Sequence, residues 1–96
     1  MATSSIIKEF LTETKSSSSV SVSSKAFERL AINVSKSGYT PIGVLALSKN
    51  GASSGYCVIS NFFIDGSKTT LNVDVVNTFT DTATVNIVAT ILYQKS

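Results

Sequence analysis

The chain contains no histidine and no tryptophan, and it has one proline and one cysteine among 96 residues. Without histidine, Ser–His and Cys–His nucleophile pairs are impossible and the commonest metal ligand is missing. A single cysteine excludes an internal disulfide. Because Cys57 lies in an alternating apolar segment, we expect it to be a buried small hydrophobe rather than a reactive thiolate. We therefore predict no catalytic residue, no metal site and no cofactor.

Charged residues are also few, with eight Lys and Arg against six Asp and Glu and a net charge of +2. The basic residues are scattered singly, whereas nucleic-acid-binding proteins cluster them on one face, so no nucleic-acid partner is predicted. The carboxylates are equally dispersed. Asp65 and Asp81 lie at turn positions that favour aspartate for local backbone reasons. The pattern therefore predicts neither a calcium loop nor a glycosidase pair.

Long apolar segments are missing as well. The first ten residues lack the basic start and apolar stretch of a signal peptide. No apolar run approaches the roughly 18 residues that a membrane helix requires. These features predict a soluble chain that is made in the cytoplasm and does not insert into membranes.

Serine, threonine, valine and isoleucine are abundant, and this composition favours β-strands. Alternating apolar residues predict one domain over residues 1–96. The first strand is expected within residues 1–15, over Ile6–Thr14, and is followed by a serine-rich loop at 16–19. Residues 24–31 are ambiguous between a loop and a single helical turn. The further predicted strands are Val20–Ser23, 29–36, Ile42–Ser48, Tyr56–Ile64, 71–75 and Ala83–Gln94.

Two dipeptides, Asn50-Gly51 and Asp65-Gly66, are strong hairpin signals because these residues tolerate positive φ. Pro41 cannot donate to a β-ladder, so we expect it at a strand start or on an edge strand. Strands joined by short turns should pair antiparallel. The sequence thus predicts an all-β protein, an antiparallel β-sandwich or small jelly roll of about seven strands.

The final predicted strand is apolar on both faces. Its odd-numbered residues from Val85 to Tyr93 form one apolar face, but Val88 and Leu92 lie on the other. A strand that covers a single core should be polar on its second face. Doubly apolar segments also occur elsewhere, with Val44 and Ala46 predicted on one face of their strand and Leu45 and Leu47 on the other, and with the adjacent pair Phe62 and Phe63. We therefore predict a homo-oligomer whose interface includes Val88, Leu92, Leu45, Leu47 and Phe62.

Aromatic and amide side chains near turns are candidate ligand contacts. An aromatic ring with polar neighbours can serve as a platform for a sugar. The candidates are Tyr39, Asn50, Tyr56 and Phe79. The alternative is that each ring covers an end of the hydrophobic core.

Three segments of the second half, residues 37–96, carry a family resemblance. They are SGYTPIGV at 37–44, VVNT at 75–78 and VATILYQK at 88–95. Together they resemble the C-terminal tip domains of tail-fibre and receptor-binding proteins from phages and prophages of Gram-positive bacteria. The resemblance implies a homotrimeric β-rich domain in the virion that contacts bacterial surface polysaccharide or protein. The alternative is a stand-alone monomeric β-sandwich, such as a carbohydrate-binding module or an inhibitor.

Overall fold

The computed structural model of the protein describes residues 9–96, and their regular structure is almost entirely β. A single 3₁₀ turn, Ser54–Tyr56, interrupts the strands. The strands are β1 (Phe10–Ser16), β2 (Val20–Val22), β3 (Phe27–Asn33), β4 (Tyr39–Asn50), β5 (Cys57–Ile64), β6 (Thr70–Asn77) and β7 (Ala83–Lys95). They form two antiparallel sheets, which confirms the predicted seven-stranded β-sandwich.

Sheet 1 is built around β7. Strand β4 pairs with one edge of β7, while β1 and β2 follow one another along the other edge. Between the pairs Ser16–Val88 and Val20–Val85, three residues of the first chain segment face two of β7. The predicted serine loop is therefore a bulge in one interrupted strand. Ser17 stabilises it, because its backbone N–H donates to the Ile87 carbonyl and its Oγ accepts from the Ile87 N–H, both at 2.9 Å.

Sheet 2 has the order β3–β6–β5. Its β5–β6 connection is a hairpin in which Ile64 pairs with Leu71, so the Asp65-Gly66 signal is confirmed. The Asn50-Gly51 signal is misleading, because β4 pairs with β7 and β5 pairs with β6. The intervening 51–56 loop is long enough to carry the chain from one sheet to the other. The turn residues therefore mark a reversal of the chain but not a pairing.

The core lies between the two sheets and is lined by one face of each central strand. Fourteen hydrophobic side chains are buried there. They are Val22, Leu30, Ile32, Val34, Cys57, Leu71, Val73, Val75, Ala83, Val85, Ile87, Ala89, Ile91 and Tyr93. Burial of each large member contributes roughly 1.5–3 kcal/mol, so this layer supplies the main stabilisation of the fold.

In strand β4, the side chains that point toward the core differ from those predicted. Its register with β7 shifts between Pro41 and Gly43 and again between Val44 and Ala46. Each shift adds one residue, so strict alternation fails. Val44 and Leu47 both pack against the core, whereas Leu45 is exposed. The prediction that Leu45 and Leu47 share a face is therefore wrong.

Several strand boundaries also differ from the prediction. Strand β3 begins at Phe27 and resolves the ambiguous 24–31 stretch as turn followed by strand. Tyr56 lies in the 3₁₀ turn rather than in β5. Pro41 lies near the start of β4, an edge strand, as expected. Residues 6–8 of the predicted first strand lie outside the described residues.

A buried amide joins two connections at one end of the sandwich. Asn77 is fully buried, and its Nδ2 donates to the carbonyls of Val22 at 3.0 Å and Asp81 at 2.9 Å. Its Oδ1 accepts from the Phe79 N–H at 2.8 Å. The side chain thus satisfies backbone groups from the β2–β3 turn and the β6–β7 connection.

We expect Asn77→Ala to lower the free energy of unfolding by about 2 kcal/mol or more, because it leaves buried backbone groups without partners. Urea denaturation monitored by circular dichroism measures the change. Asn72→Ala is the matched control, since Asn72 lies on the same strand with its side chain on the outer face. Equal destabilisation by both substitutions would contradict the role assigned to Asn77.

Candidate interaction surfaces

The four predicted contact residues do not converge on one site. Asn50, Tyr56 and Phe79 lie near the loops at 23–26, 51–56 and 78–82, which we call the aromatic end. Tyr39 lies beside the turns at 34–38 and 65–69, which we call the lysine end. The twelve residues of β4 separate these ends, a span of about 36 Å for an extended strand.

At the aromatic end, Tyr56 and Phe79 stack on one another with ring centroids 3.8 Å apart and an angle of 9° between the ring planes. Thr78 holds the pair, since its N–H and Oγ1 both donate to the Tyr56 carbonyl, at 3.0 and 2.7 Å. Each ring covers one face of the other. Tyr56 remains 47% exposed, so the pair presents a single aromatic surface to solvent.

The 51–56 loop is pinned against the start of β7. Gly51 has φ +122°, and a Cβ at this position would lie 2.5 Å from the Thr84 carbonyl oxygen. The Thr84 N–H donates to Ser53 Oγ at 2.9 Å. Glycine is therefore required at position 51 both for backbone conformation and for space. This close approach positions Tyr56 next to Phe79.

At the lysine end, Glu13 joins two lysines. Its carboxylate lies 2.8 Å from Lys36 Nζ and 3.1 Å from Lys15 Nζ. Hydrogen bonds from Lys36 and then Lys15 lower the pKa of Glu13. Lys36 Nζ also lies 5.5 Å from the centre of the Tyr39 ring, within the range of a cation–π contact. Tyr39 is thus flanked by a cation rather than presented as an open platform.

The 65–69 turn is organised by one carboxylate. Asp65 accepts hydrogen bonds from the N–H groups of Thr69 and Thr70, at 2.9 and 3.1 Å, and from Ser67 Oγ at 2.8 Å. Led by the bond from Thr69, these lower the pKa of Asp65 to about 2. The Asp65 carboxylate therefore stabilises its own loop.

The residues predicted for the oligomer interface also separate in space. Val88 and Leu92 are half-buried on the outer face of sheet 1, and Leu45 is exposed on the neighbouring strand β4. Leu47 packs against the core, so it does not line an outer face. Phe62 lies at the open edge between β4 and β5, beside Ile42 in a groove.

A surface that the sequence prediction missed lies at one end of the outer face of sheet 2. Phe27, Val76 and Val58 form one continuous row across β3, β6 and β5. Phe27 is 56% exposed and Val58 is 51% exposed. Their separation along the chain concealed this row, because only strand register brings them side by side. We call these three residues the sheet-2 apolar row; Phe63 lies on the same outer face, where it pairs with Asn72.

An internal ion pair lies next to this row. Arg29 donates to Asp74 through Nε at 2.6 Å and through Nη2 at 3.0 Å. This bidentate geometry is the strongest form of carboxylate recognition by arginine, and it lowers the pKa of Asp74. The guanidinium carbon also lies 5.1 Å from the centre of the Phe63 ring. The apolar row is therefore bordered by a charge pair that is neutralised internally.

The described residues, 9–96, contain no grouping of three or more His, Cys, Asp or Glu side chains that could hold a metal ion. Within the same part of the chain, no helix is long and apolar enough to cross a membrane. Comparison with known proteins found no matching family model, no matching characterised protein and no matching solved structure.

The low pKa of Asp65 predicts a specific acid sensitivity. Since the folded-state value is about 2 against an ordinary 3.8, ionised Asp65 stabilises the fold fully above about pH 4, and this contribution is lost as the pH falls toward about 2. Asp65→Asn should therefore lower the Tm near neutral pH, and its deficit relative to the unmodified protein should shrink at acid pH. Thermal melts between about pH 7 and pH 2 measure this.

Asp81→Asn is the control, because it removes the same charge from another turn. Its melting temperature should follow that of the unmodified protein across the range. A deficit for Asp65→Asn that is constant with pH would show that hydrogen-bond geometry, rather than charge, explains the stabilisation.

Proposed function

We propose that this protein is a non-enzymatic assembly and binding module whose first partner is a second copy of itself. In the setting that the phage resemblance implies, it is a tail-fibre tip domain that homotrimerises in the virion and contacts the bacterial surface. The proposal depends on the number of large apolar side chains that are exposed to solvent on such a small fold. The side chains concerned are Phe10, Phe27, Ile42, Leu45, Tyr56, Val58, Phe62 and Phe63.

Scattered single hydrophobic residues are normal on protein surfaces, but contiguous patches usually mark interfaces. The sheet-2 apolar row is contiguous, because Phe27 and Val58 are both direct cross-strand neighbours of Val76. The adjacent pair of Arg29 and Asp74 is satisfied internally. Burial of this face against a different apolar face of another copy therefore leaves neither charge of this pair without a partner, which removes the main electrostatic penalty of docking.

The outer face of sheet 1 provides a second apolar surface. Leu92 pairs with Gly43 on one neighbouring strand and with Thr12 on the other. Because both neighbours are small, they cover little of the Leu92 side chain. Leu45 and Val88 extend the apolar surface along the same face. A cyclic trimer needs two different surfaces on each subunit when its contacts are heterologous. Two apolar sheet faces in one small domain supply such a pair.

A monomeric binding module is the second candidate, and the stacked Tyr56 and Phe79 rings favour it. A partly exposed aromatic pair can support the apolar face of a sugar ring. This function requires no self-association. Molecular mass therefore separates the two candidates.

We expect the protein at micromolar concentration to have three times the mass of the single chain by light scattering coupled to size exclusion. Burial of both sheet faces would provide the stability that a domain of this size gains poorly from its own core. A monomeric mass would contradict the assembly and favour the second candidate.

Single substitutions can identify which sheet face forms the oligomer interface. Val58→Lys places a charge in the sheet-2 apolar row, so we expect loss of the oligomer with an unchanged β-sheet circular dichroism spectrum. Leu92→Lys and Val88→Lys test sheet 1 in the same way. Ser21→Lys is the control, since Ser21 is exposed on a strand at the far end of sheet 1. An oligomer that survives every substitution would show that neither sheet face forms the interface.

A further inference from the structure

The lysine end carries two adjoining clefts that no function has yet explained. The first is an open cleft of about 420 Å³ between the 34–38 and 65–69 turns, lined by Lys36, Tyr39 and Lys68 with serine and threonine hydroxyls. The second is a groove of about 220 Å³ between β4 and β5, lined by apolar residues that include Ile42 and Phe62. Pro41 and Lys68 line both clefts. They therefore form one continuous depression with a polar half and an apolar half.

The walls of the polar half are held by hydrogen bonds. Asn33 Oδ1 accepts from the N–H and Oγ of Ser35, at 3.0 and 2.8 Å. The Val34 N–H donates to the Thr69 carbonyl at 2.9 Å and ties the two turns together. Asp65 organises the second turn, as described above. A ligand would therefore meet a preformed site, which reduces the ordering cost of binding.

Lys68 is the unusual residue in this depression. Its φ of +61° lies in the left-handed region, and its N–H donates to the Asp65 carbonyl at 3.0 Å within the hairpin turn, so the turn fixes the position of its side chain. Lys25 has the same conformation, with φ +60°. However, Lys25 Nζ donates to the Thr78 carbonyl at 2.7 Å, so its ammonium group already has a partner. Among the described residues, Lys68 Nζ has neither an ion pair nor a hydrogen bond.

The other charges around the depression are already engaged. Lys36 is paired with Glu13, which also binds Lys15. Asp65 directs its carboxylate oxygens at Ser67, Thr69 and Thr70. Lys68 is therefore the charge that remains for a ligand. One cation without a partner suits a single anionic group rather than a polyanion.

We propose that this depression binds a saccharide that bears one carboxylate or phosphate group. Lys68 pairs with the anionic group, the hydroxyls of Ser37 and Thr40 bond to sugar hydroxyls, and the groove beside Phe62 takes the apolar face of the ring. The proposal rests on the proposed function for its biological setting, because it names the ligand class of the surface contact. Its geometry depends on one subunit only.

The test is a titration of the ¹⁵N-labelled protein with glucose 6-phosphate, glucuronate and glucose, followed by amide chemical shifts. We expect saturable shifts in residues 34–41 and 65–69 with the two anionic sugars, at Kd values on the order of 1 mM. Glucose should bind about two- to fivefold more weakly, the effect expected of one exposed ion pair. The Kd for the anionic sugars should rise with added salt.

Lys68→Asn removes the charge and keeps a residue that tolerates positive φ. We expect it to fold normally and to weaken binding of both anionic sugars about fivefold. Lys25→Asn makes the same change at the same backbone conformation at the aromatic end, and it should leave binding unchanged. The oligomer mass of both variants should equal that of the unmodified protein.

Three results would overturn the proposal. They are absence of saturable shifts at the lysine end, equal binding by the Lys68→Asn variant, and equal affinity for inorganic phosphate alone, which would indicate an anion site without sugar recognition. Tighter binding of a short single-stranded oligonucleotide than of glucose 6-phosphate would also overturn it, in favour of a nucleic-acid ligand. A monomer that binds the anionic sugars would contradict the proposed assembly alone, whereas an oligomer that ignores them would contradict this site alone.

Discussion

Strand β7 is the element on which the rest of the fold depends. Its inner side chains from Val85 to Tyr93 are fully buried, and both of its edges are paired along most of its length. Strands β1, β2 and β4 each form their ladder hydrogen bonds with β7. Tyr93 also links the sheets, since its hydroxyl donates to the Val34 carbonyl at 2.7 Å. A polar residue on the inner face of β7 would therefore weaken both the core and sheet 1.

The narrowness of each sheet explains why so much apolar surface stays outside. With β6 as the single central strand of sheet 2, the edge strands β3 and β5 hold about two thirds of its residues. Edge positions pack on fewer neighbours, so Phe27 and Val58 remain exposed although they lie beside Val76. A small domain buries a limited fraction of its surface. Association with further copies is the physical means by which such a fold covers the remainder.

The two ends of the sandwich differ in chemistry because different connections meet there. Asn77 ties the aromatic end through buried hydrogen bonds, and the stacked rings of Tyr56 and Phe79 cover it. At the lysine end, Asp65 and Asn33 organise exposed turns instead, so charged and hydroxyl side chains border an open depression. Assembly through the sheet faces would leave both ends accessible, and the proposed saccharide site lies at one of them.

The sequence by itself determined the strand content, the Asp65-Gly66 hairpin, the position of Pro41 and the inward face of the last strand, because these follow from local turn chemistry and a period of two. It did not determine which strands pair. The reversal at Asn50-Gly51 leads β4 and β5 into different sheets, and the bulges in β4 turn Leu47 inward. Neither the sheet-2 apolar row nor the depression around Lys68 has a local signal, since each joins residues that are distant in the chain. Only tertiary packing, through strand register and the meeting of separate turns, placed them together.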